Sequence, residues 1–183
     1  SLAHLDSMMN YAGLRAEQKA LRAKGVYRGI GFASFIEVTN PSAAFYGVGG
    51  ARITSQDGAT VKLDAQGALI IHSGVTEQGQ GAEAVLAQCV ASSFGVAIDR
   101  VRVVTGDTDN TPYGGGTWAS RAAGIGGEAA WQAGKALRGN VLAVAGAMLQ
   151  AKPEDLDIRN GVVVDKTSGS ERLALEELAR VAY

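Results

Sequence analysis

The spacing of apolar positions changes along the chain, and each change predicts a different element. In residues 2–24 apolar side chains recur every three or four positions, which is typical of a helix, and Gly25 stands where that helix would end. Over residues 26–38 small and large apolar residues alternate with a period of two, which predicts a long strand with glycine and other small residues on one face. We therefore expect an N-terminal helix over residues 1–25 and a main domain over residues 26–183.

Shorter patterns fill the middle of the chain. Three of them, separated by Asp-Gly and Gln-Gly pairs that favour tight turns, predict a meander of strands over residues 51–56, 60–64 and 68–72. After a polar loop the helical spacing returns and predicts a helix over residues 79–95, and a strand follows at 101–105. This part of the chain therefore has the order strand, glycine-rich loop, helix, strand.

Glycine-rich and alanine-rich stretches dominate the second half. Residues 106–117 contain too much glycine to form an element, and residues 118–151 predict a helix that needs tertiary support because several glycines weaken it. A hairpin turning at Asn160-Gly161 and a last helix over 173–183 complete the chain. We expect an α/β (α+β) fold of two layers, with helices packed on a mixed sheet. The strands of that sheet would be residues 26–38, 68–72 and 101–105.

Composition and charge exclude several classes of partner. Lys and Arg total 17 against 18 Asp and Glu, and the charges form no basic block, so the electrostatic pattern of a nucleic-acid binder is missing. The longest apolar run, at 141–149, is too short to cross a membrane. A single cysteine, Cys89, excludes an internal disulfide, and we expect a cytoplasmic location. Because the chain begins at Ser1 without a methionine and ends inside a predicted helix, we expect a fragment of a longer protein.

Several familiar motifs are missing or out of context. No phosphate-binding P-loop sequence occurs, and the G-x-G-x-x-A pattern at 124–129 follows a loop rather than a strand, so we interpret it as helix packing. His4 and His72 are isolated, which leaves little for a histidine metal site or a Ser–His–Asp triad. The candidate chemistry therefore lies in two glycine-rich loops.

Both of these loops, residues 77–81 and 111–121, run into a predicted helix. Each places backbone N–H groups at a helix N-terminus, which is a natural site for phosphate. Their side chains add amides, hydroxyls and one guanidinium that can grip a phosphate with two hydrogen bonds. The residues concerned are Gln78, Gln80, Thr117, Ser120 and Arg121. Together they are suited to a large polar cofactor with a phosphate arm, although the same loops can be simple tight turns in which Ser120 is a helix N-cap.

Three motifs in order resemble a known family. They are G-x-G-x-A at 29–33, T-E-Q-G-Q-G at 76–81, and G-D-T-D-x-T-P-Y-x-x-G-T-x-A-S-R at 106–121. Their order and spacing are similar to those of the molybdenum-binding large subunit of the xanthine dehydrogenase, aldehyde oxidase and carbon monoxide dehydrogenase family. The resemblance extends from about residue 25 to 183, and it implies a fragment that binds molybdenum–molybdopterin cofactor, in the cytosine dinucleotide form usual in bacteria.

The resemblance also implies roles for individual residues. Gln80 with its neighbours Gly79 and Gly81 would hold the pterin or approach the oxo face of the metal, and Gln78 belongs to the same cofactor-binding loop. The pyrophosphate and nucleotide would be held by Thr117, Ala119, Ser120 and Arg121. None of these residues would bind the metal directly. The chain departs from its relatives in having three glycines between Tyr113 and Thr117, which affects the nucleotide contacts.

What the resemblance implies for catalysis lies mostly outside the chain. The family's glutamate base lies near the C-terminal end of the subunit, in a G-x-G-E-like segment. The segment ending at Glu128 is similar, but its place in the order of motifs differs, so the role is not assigned to Glu128. The chain would therefore contribute to oxidative hydroxylation with water-derived oxygen but lack a catalytic residue, and alone it would be inactive and prone to form a homodimer.

Partners would include the rest of the large subunit, subunits carrying [2Fe-2S] clusters and FAD, and a small-molecule substrate such as a purine, an aldehyde, an N-heterocycle or carbon monoxide. The alternatives are a non-catalytic nucleotide- or phosphate-binding module and a structural domain whose glycines serve packing alone.

Overall fold

The structure is a computed structural model, and it describes residues 2–41, 45–50 and 55–182. Its contacts divide the chain into two units, Ser1–Ile36 and Glu37–Tyr183. This division lies beyond the end of the N-terminal helix, whereas the sequence predicts a boundary at residue 25. The division into an N-terminal helix over residues 1–25 and a domain over residues 26–183 stays a prediction.

The first unit begins with two helices rather than one. Helix α1 (Leu2–Met9) and helix α2 (Tyr11–Arg22) are separated by Asn10, which adopts a left-handed backbone with φ 50°. Its side chain accepts a hydrogen bond from the N–H of Gly13 at 3.3 Å and so caps α2. The predicted single helix is therefore interrupted, because asparagine tolerates the left-handed region and competes for the backbone.

The predicted strand over residues 26–38 is wrong. Among these described residues none pairs in a sheet; the segment follows α2 as an irregular chain. It is held by the side chain of Gln18, which donates to the carbonyl of Arg28 at 2.6 Å, and by edge-to-face contact of Phe32 with Tyr11. Its alternating apolar side chains remain exposed, up to 100% for Ile36. The sequence has the apolar alternation of a strand, but no described segment lies beside residues 26–38 to form the hydrogen bonds of a sheet.

The second unit is built around a mixed three-stranded sheet. Strands β1 (Ala59–Leu63) and β2 (Leu69–Ser73) form an antiparallel hairpin, and β3 (Val101–Val104) pairs in parallel with β2. Helix α3 (Ala82–Phe94) makes the connection between the two parallel strands. These strands confirm the predictions at 60–64, 68–72 and 101–105, whereas most of the predicted strand at 51–56 lies outside the described residues.

Helix α4 (Gly127–Leu149) packs against α3 and β1 and closes the core. Gly134 of α4 shows why this helix tolerates glycine, because a Cβ at that position would lie 2.1 Å from the Ser93 hydroxyl oxygen of α3. The glycine therefore permits a close helix–helix approach. The fully buried apolar residues of this core include Leu69, Ile71, Leu86, Val90, Phe94, Ala130 and Ala145.

A second, antiparallel sheet follows α4. It contains β4 (Leu156–Arg159), β5 (Val162–Asp165) and β6 (Glu171–Ala174), and helix α5 (Leu175–Ala182) follows it. The hairpin at Asn160-Gly161 is confirmed. The last helix begins later than predicted, because residues up to Ala174 are taken into β6 instead.

The mixed α/β class is confirmed, with two small sheets rather than one larger sheet. No helix in the described ranges is long and apolar enough to cross a membrane.

Candidate functional site

The parallel pair β2 and β3 brings the two predicted loops to one edge of the sheet. Each strand is followed by a loop that leads into a helix, and parallel neighbours end at the same edge. A cavity of about 350 Å³ opens between the loops. It is lined by Gln78, Gln80, Thr117, Trp118, Ala119, Ser120, Arg121, Ala122 and Ala123. The predicted convergence of the loops on one cleft is confirmed.

Hydrogen bonds join the two loops directly. The hydroxyl of Thr117 accepts from the N–H of Thr76 at 2.9 Å and donates to the Thr76 carbonyl at 2.7 Å. The amide of Gln78 also donates to the Thr117 carbonyl, at 3.3 Å. The loops therefore form one wall, although about 40 residues separate them in sequence.

The first loop is organised around the carboxylate of Glu77. Its Oε1 accepts from the N–H groups of Gln78, Gly79 and Gly81 at 3.1, 2.8 and 3.0 Å, and its Oε2 accepts from the N–H of Glu83 at 3.1 Å. These hydrogen bonds lower the pKa of the Glu77 carboxyl below its usual value, and the bond from the Glu83 N–H has the largest effect. Four of the N–H groups that were expected to be free for phosphate in this loop are therefore already bonded to an internal carboxylate.

The glutamines of this loop point in different directions. The Oε1 of Gln80 accepts from the N–H of Gln78 at 2.6 Å, and its Nε2 lies 3.5 Å from the Thr76 carbonyl. Gly79 and Gly81 adopt φ values of 92° and 81°, which fold the loop around Glu77. Both residues line the cavity, and both amides are engaged in hydrogen bonds with the loops.

A strained turn shapes the second loop. Ala119 and Ser120 both have left-handed backbones, with φ values of 46° and 51°. The turn is held by the N–H of Asn40, which donates to the Ala119 carbonyl at 3.1 Å, and by the N–H of Arg121, which donates to the Trp118 carbonyl at 3.2 Å. Ser120 is exposed and makes no capping hydrogen bond to the described helix start, so the N-cap interpretation does not hold.

Arg121 is held inside the protein. Its guanidinium pairs with the Asp57 carboxylate at 2.8 Å and donates to the carbonyls of Gln56, at 2.6 Å, and Gly116. Both charged side chains are completely buried, and the guanidinium carbon lies 5.8 Å from the centre of the Trp118 ring. The expected two-bond grip on a phosphate does not fit this arrangement, because the terminal nitrogens already have protein partners.

Asp57 sits in a close-fitting pocket made by backbone. It accepts from the N–H of Gly58 at 3.0 Å, and a Cβ on Gly114 would lie only 2.1 Å from its Oδ1. Burial raises the pKa of the Asp57 carboxyl, against the opposing effects of Arg121 and the Gly58 N–H. One of the three glycines between Tyr113 and Thr117 is thus required by this carboxylate.

The helix after the second loop begins with a π-helical turn, Ala122–Gly126, that continues into α4. Among the described residues, no backbone acceptor lies opposite the N–H groups of Ala122, Ala123 and Gly124. Two of these residues line the cavity, so donors and the positive end of the helix dipole lie beside it. Within the described part of the chain, these three N–H groups have no backbone acceptor, and none of them bonds to a carboxylate as the N–H groups around Glu77 do.

Two acids that organise the loops of the site were not predicted as site residues. Asp57 was interpreted as a turn residue, and no local signal connects it with Arg121, 64 positions later. Glu77 had a usable signal, because an acid just before a helix start is placed to accept its first N–H groups. No group of three His, Cys, Asp or Glu residues in the described ranges is placed to hold a metal ion.

The chain matches a known protein family. Residues 4–183 match the family described as "Molybdopterin cofactor-binding domain". The chain is 33% identical to the nicotine 6-hydroxylase large subunit of Paenarthrobacter nicotinovorans, over 98% of the chain and 22% of that protein. It is 30% identical to the carbon monoxide dehydrogenase large chain of Hydrogenophaga pseudoflava, over 96% of the chain and 22% of that protein.

Solved structures agree. The quinoline 2-oxidoreductase of Pseudomonas putida 86 superposes with a TM-score of 0.70 at 33% identity, covering 99% of this chain and 23% of that one. The chain therefore spans roughly a fifth of the length of the relatives that it matches. With its family match extending over nearly the whole sequence, the chain belongs to the molybdopterin cofactor-binding domain family.

Proposed function

We propose that the cavity between the two loops holds a molybdenum–molybdopterin cofactor in its cytosine dinucleotide form. The observation that carries the proposal is the convergence of both loops on one cavity at the carboxyl edge of β2 and β3. This edge is where α/β sheets bind their ligands. The family match supports the cofactor class, and the cytosine dinucleotide form is proposed from the sequence resemblance to the bacterial members of the family.

The donors around the cavity fit such a molecule. Amides from Gln78 and Gln80 can bond in both directions and so suit the edge of a pterin or an oxo group. At the other end the hydroxyl of Ser120 and the open N–H groups at the start of the helix suit a pyrophosphate. No carboxylate is among the residues that line the cavity.

We assign the residues to two groups. Gln78 and Gln80, with the backbone of Gly79 and Gly81, hold the pterin end. The nucleotide and pyrophosphate end lies against Thr117, Ala119, Ser120 and Arg121. Within the second group the Arg121 side chain acts by holding the loop through Asp57, and the phosphate is met by hydroxyl and backbone donors.

When bound, the cofactor supplies the redox chemistry of oxidative hydroxylation with water-derived oxygen. The residues of this chain bind it, orient it and keep the two loops in register. We propose that the full-length protein is a cytoplasmic oxidoreductase of the molybdenum hydroxylase type, with its base elsewhere in the polypeptide and with iron–sulfur and flavin subunits as partners. The substrates named for its relatives, nicotine, quinoline and carbon monoxide, define the first panel to test.

The test measures cofactor content in the full-length protein. Molybdenum by mass spectrometry, pterin by fluorescence after oxidation, and released cytidine monophosphate should all approach one per chain. Ser120→Ala should lower cofactor content at limiting supply about tenfold, because a hydrogen bond to a charged group contributes about 1.5 to 3 kcal/mol. Ser92→Ala, at an exposed position on α3 away from the cavity, is the matched control and should leave the content unchanged. A wild-type protein without pterin would refute the proposal.

A further inference from the structure

The N-terminus of α3 already contains an anion, supplied by the chain itself. Four backbone N–H groups converge on the Glu77 carboxylate, three on one oxygen and one on the other, at 2.8 to 3.1 Å. A nest of this kind is a common binding site for phosphate. Here the loop returns on itself, through the left-handed glycines 79 and 81, so that a side chain fills the nest.

The two loops therefore differ in charge although they look alike in sequence. At the first loop four N–H donors bond to the Glu77 carboxylate, so a negative charge lies at the centre of the loop. At the second, the N–H groups of Ala122, Ala123 and Gly124 lack a described backbone acceptor, and no carboxylate lines the cavity beside them. The Asp57 carboxylate pairs with Arg121 of that loop, and its side chain is completely buried. A ligand with one anionic end meets repulsion at the first loop and open donors at the second.

We propose that Glu77 is a specificity-determining residue, an internal anion that excludes phosphate from the α3 N-terminus and so directs the phosphate end of the ligand to the second loop. The inference rests on the proposed function, because it concerns the orientation of the same cofactor. The orientation of the cofactor would then depend on repulsion by Glu77 at the first loop as well as on attraction by the N–H donors of the second loop.

A purely structural role for Glu77 makes a different prediction. If the carboxylate only holds the loop together, its removal weakens cofactor binding but creates no affinity for anions. If it excludes phosphate, its removal uncovers four convergent donors at a helix N-terminus, and the variant gains a binding site that the wild type lacks. Gain of binding is therefore the informative measurement.

The experiment compares full-length, cofactor-free protein carrying Glu77→Ala, Glu77→Gln or Glu83→Gln with the wild type. Equilibrium dialysis against radiolabelled inorganic phosphate measures binding, and tungstate soaked into crystals locates the site by anomalous scattering. Glu77→Ala should bind one additional phosphate about tenfold more tightly than the wild type, a difference of about 1.4 kcal/mol, with tungstate at the N–H groups of residues 78–83. Glu83→Gln is the matched control, because it removes a charge from the same helix end and leaves the nest filled.

Cofactor retention supplies the second readout. Added phosphate should displace cofactor from loaded Glu77→Ala at lower concentration than from the wild type or Glu83→Gln. Should Glu77→Ala fail to fold, Glu77→Gln keeps an acceptor in the nest without its charge, and a smaller rise in phosphate affinity over Glu83→Gln is expected. Unchanged phosphate affinity in the folded Glu77 variant, with a wild type that loads cofactor, overturns this inference alone. A wild type that never contains pterin overturns the proposed function instead.

Discussion

The two loops of the cavity are held in opposite ways. In the first loop, residues 77–81, the carboxylate of Glu77 lies at the surface and accepts hydrogen bonds from backbone N–H groups. In the second loop, residues 111–121, the guanidinium of Arg121 lies in the interior, donates to backbone carbonyls and pairs with the carboxylate of Asp57. The charge that stabilises the first loop is screened by water, whereas the charges that stabilise the second loop are shielded from water.

This difference separates ligand recognition from folding. A solvent-exposed carboxylate contributes little to global stability, because water competes for it. A completely buried ion pair leaves an uncompensated charge when one partner is removed, and the fold then bears a large cost. Changes at the second loop should therefore act on stability and cofactor together, whereas changes at the first should act on the ligand with little effect on unfolding.

The largest effect is expected from Arg121→Ala. It leaves the Asp57 carboxylate buried without its ion-pair partner, so the free energy of unfolding should fall by about 3 to 5 kcal/mol. Chemical denaturation of the full-length protein, followed by a probe in this domain, measures the loss. Arg138→Ala is the comparison, because its pair with Asp157 is partly exposed and should contribute about 1 kcal/mol or less. Equal losses in the two variants would contradict the contrast between the loops.

Gly114→Ala tests the pocket around Asp57. The new Cβ would lie 2.1 Å from Oδ1 and 2.8 Å from Cγ of Asp57, so the pair must move, and a destabilisation of about 1 to 3 kcal/mol is expected. Gly139→Ala is the matched control on the exposed side of α4, where a Cβ meets no atom within 4 Å. That change should stabilise the protein by up to about 1 kcal/mol through helix propensity. A harmless Gly114→Ala would show that Asp57 is not confined.

Gln80→Ala should separate the functions of the loops. We expect the cofactor still to be bound and turnover with the best panel substrate to fall about fivefold, the effect of one lost hydrogen bond of about 1 kcal/mol. Molybdenum content and initial rate with an artificial electron acceptor are the two measurements. Gln132→Ala controls for loss of a glutamine, because the Gln132 amide bonds to Glu128 on the exposed face of α4, away from the cavity. If Gln80→Ala lost cofactor as Ser120→Ala is expected to, the assignment of the pterin end would be wrong.

The smallest effect concerns pH, and its sign differs between the loops. The pKa of Glu77 is lowered in the folded state, so its contribution to stability is present above the ordinary glutamate pKa and is lost as pH falls through the folded value. The pKa of Asp57 is raised, so its contribution is present at low pH and is lost as pH rises through the folded value. The difference in Tm between wild type and Glu77→Gln should therefore shrink on acidification.

For Asp57→Asn the difference in Tm from the wild type should instead shrink as the pH is raised through the Asp57 titration. Thermal unfolding of the three proteins across the acidic range checks both signs. The same trend in both variants would contradict the opposite environments of the two carboxylates.

Local pattern was sufficient for much of the fold. Strands β2 and β3, helix α3 and the hairpin at Asn160-Gly161 were predicted close to their observed bounds, because each is specified by apolar spacing and turn residues within a short window. The convergence of the two loops was also predicted, since parallel strands followed by loops and helices share one edge. Most residues that line the cavity were therefore among those predicted. Trp118, Ala122 and Ala123 were not, and the predicted Gly79 and Gly81 are not among the lining residues.

Tertiary structure decided the remaining features. Residues 26–38 carry a strand pattern, but a strand requires a neighbouring chain for its hydrogen bonds, and the pattern cannot state whether one is present. Arg121 carries phosphate-binding chemistry, but Asp57 and the carbonyls around it use the guanidinium first. The sequence by itself determined which donors and acceptors stand near the site. Only the folded chain decided which of them are already paired, because a hydrogen bond or ion pair depends on distance in space, and residues far apart in sequence supply the partners.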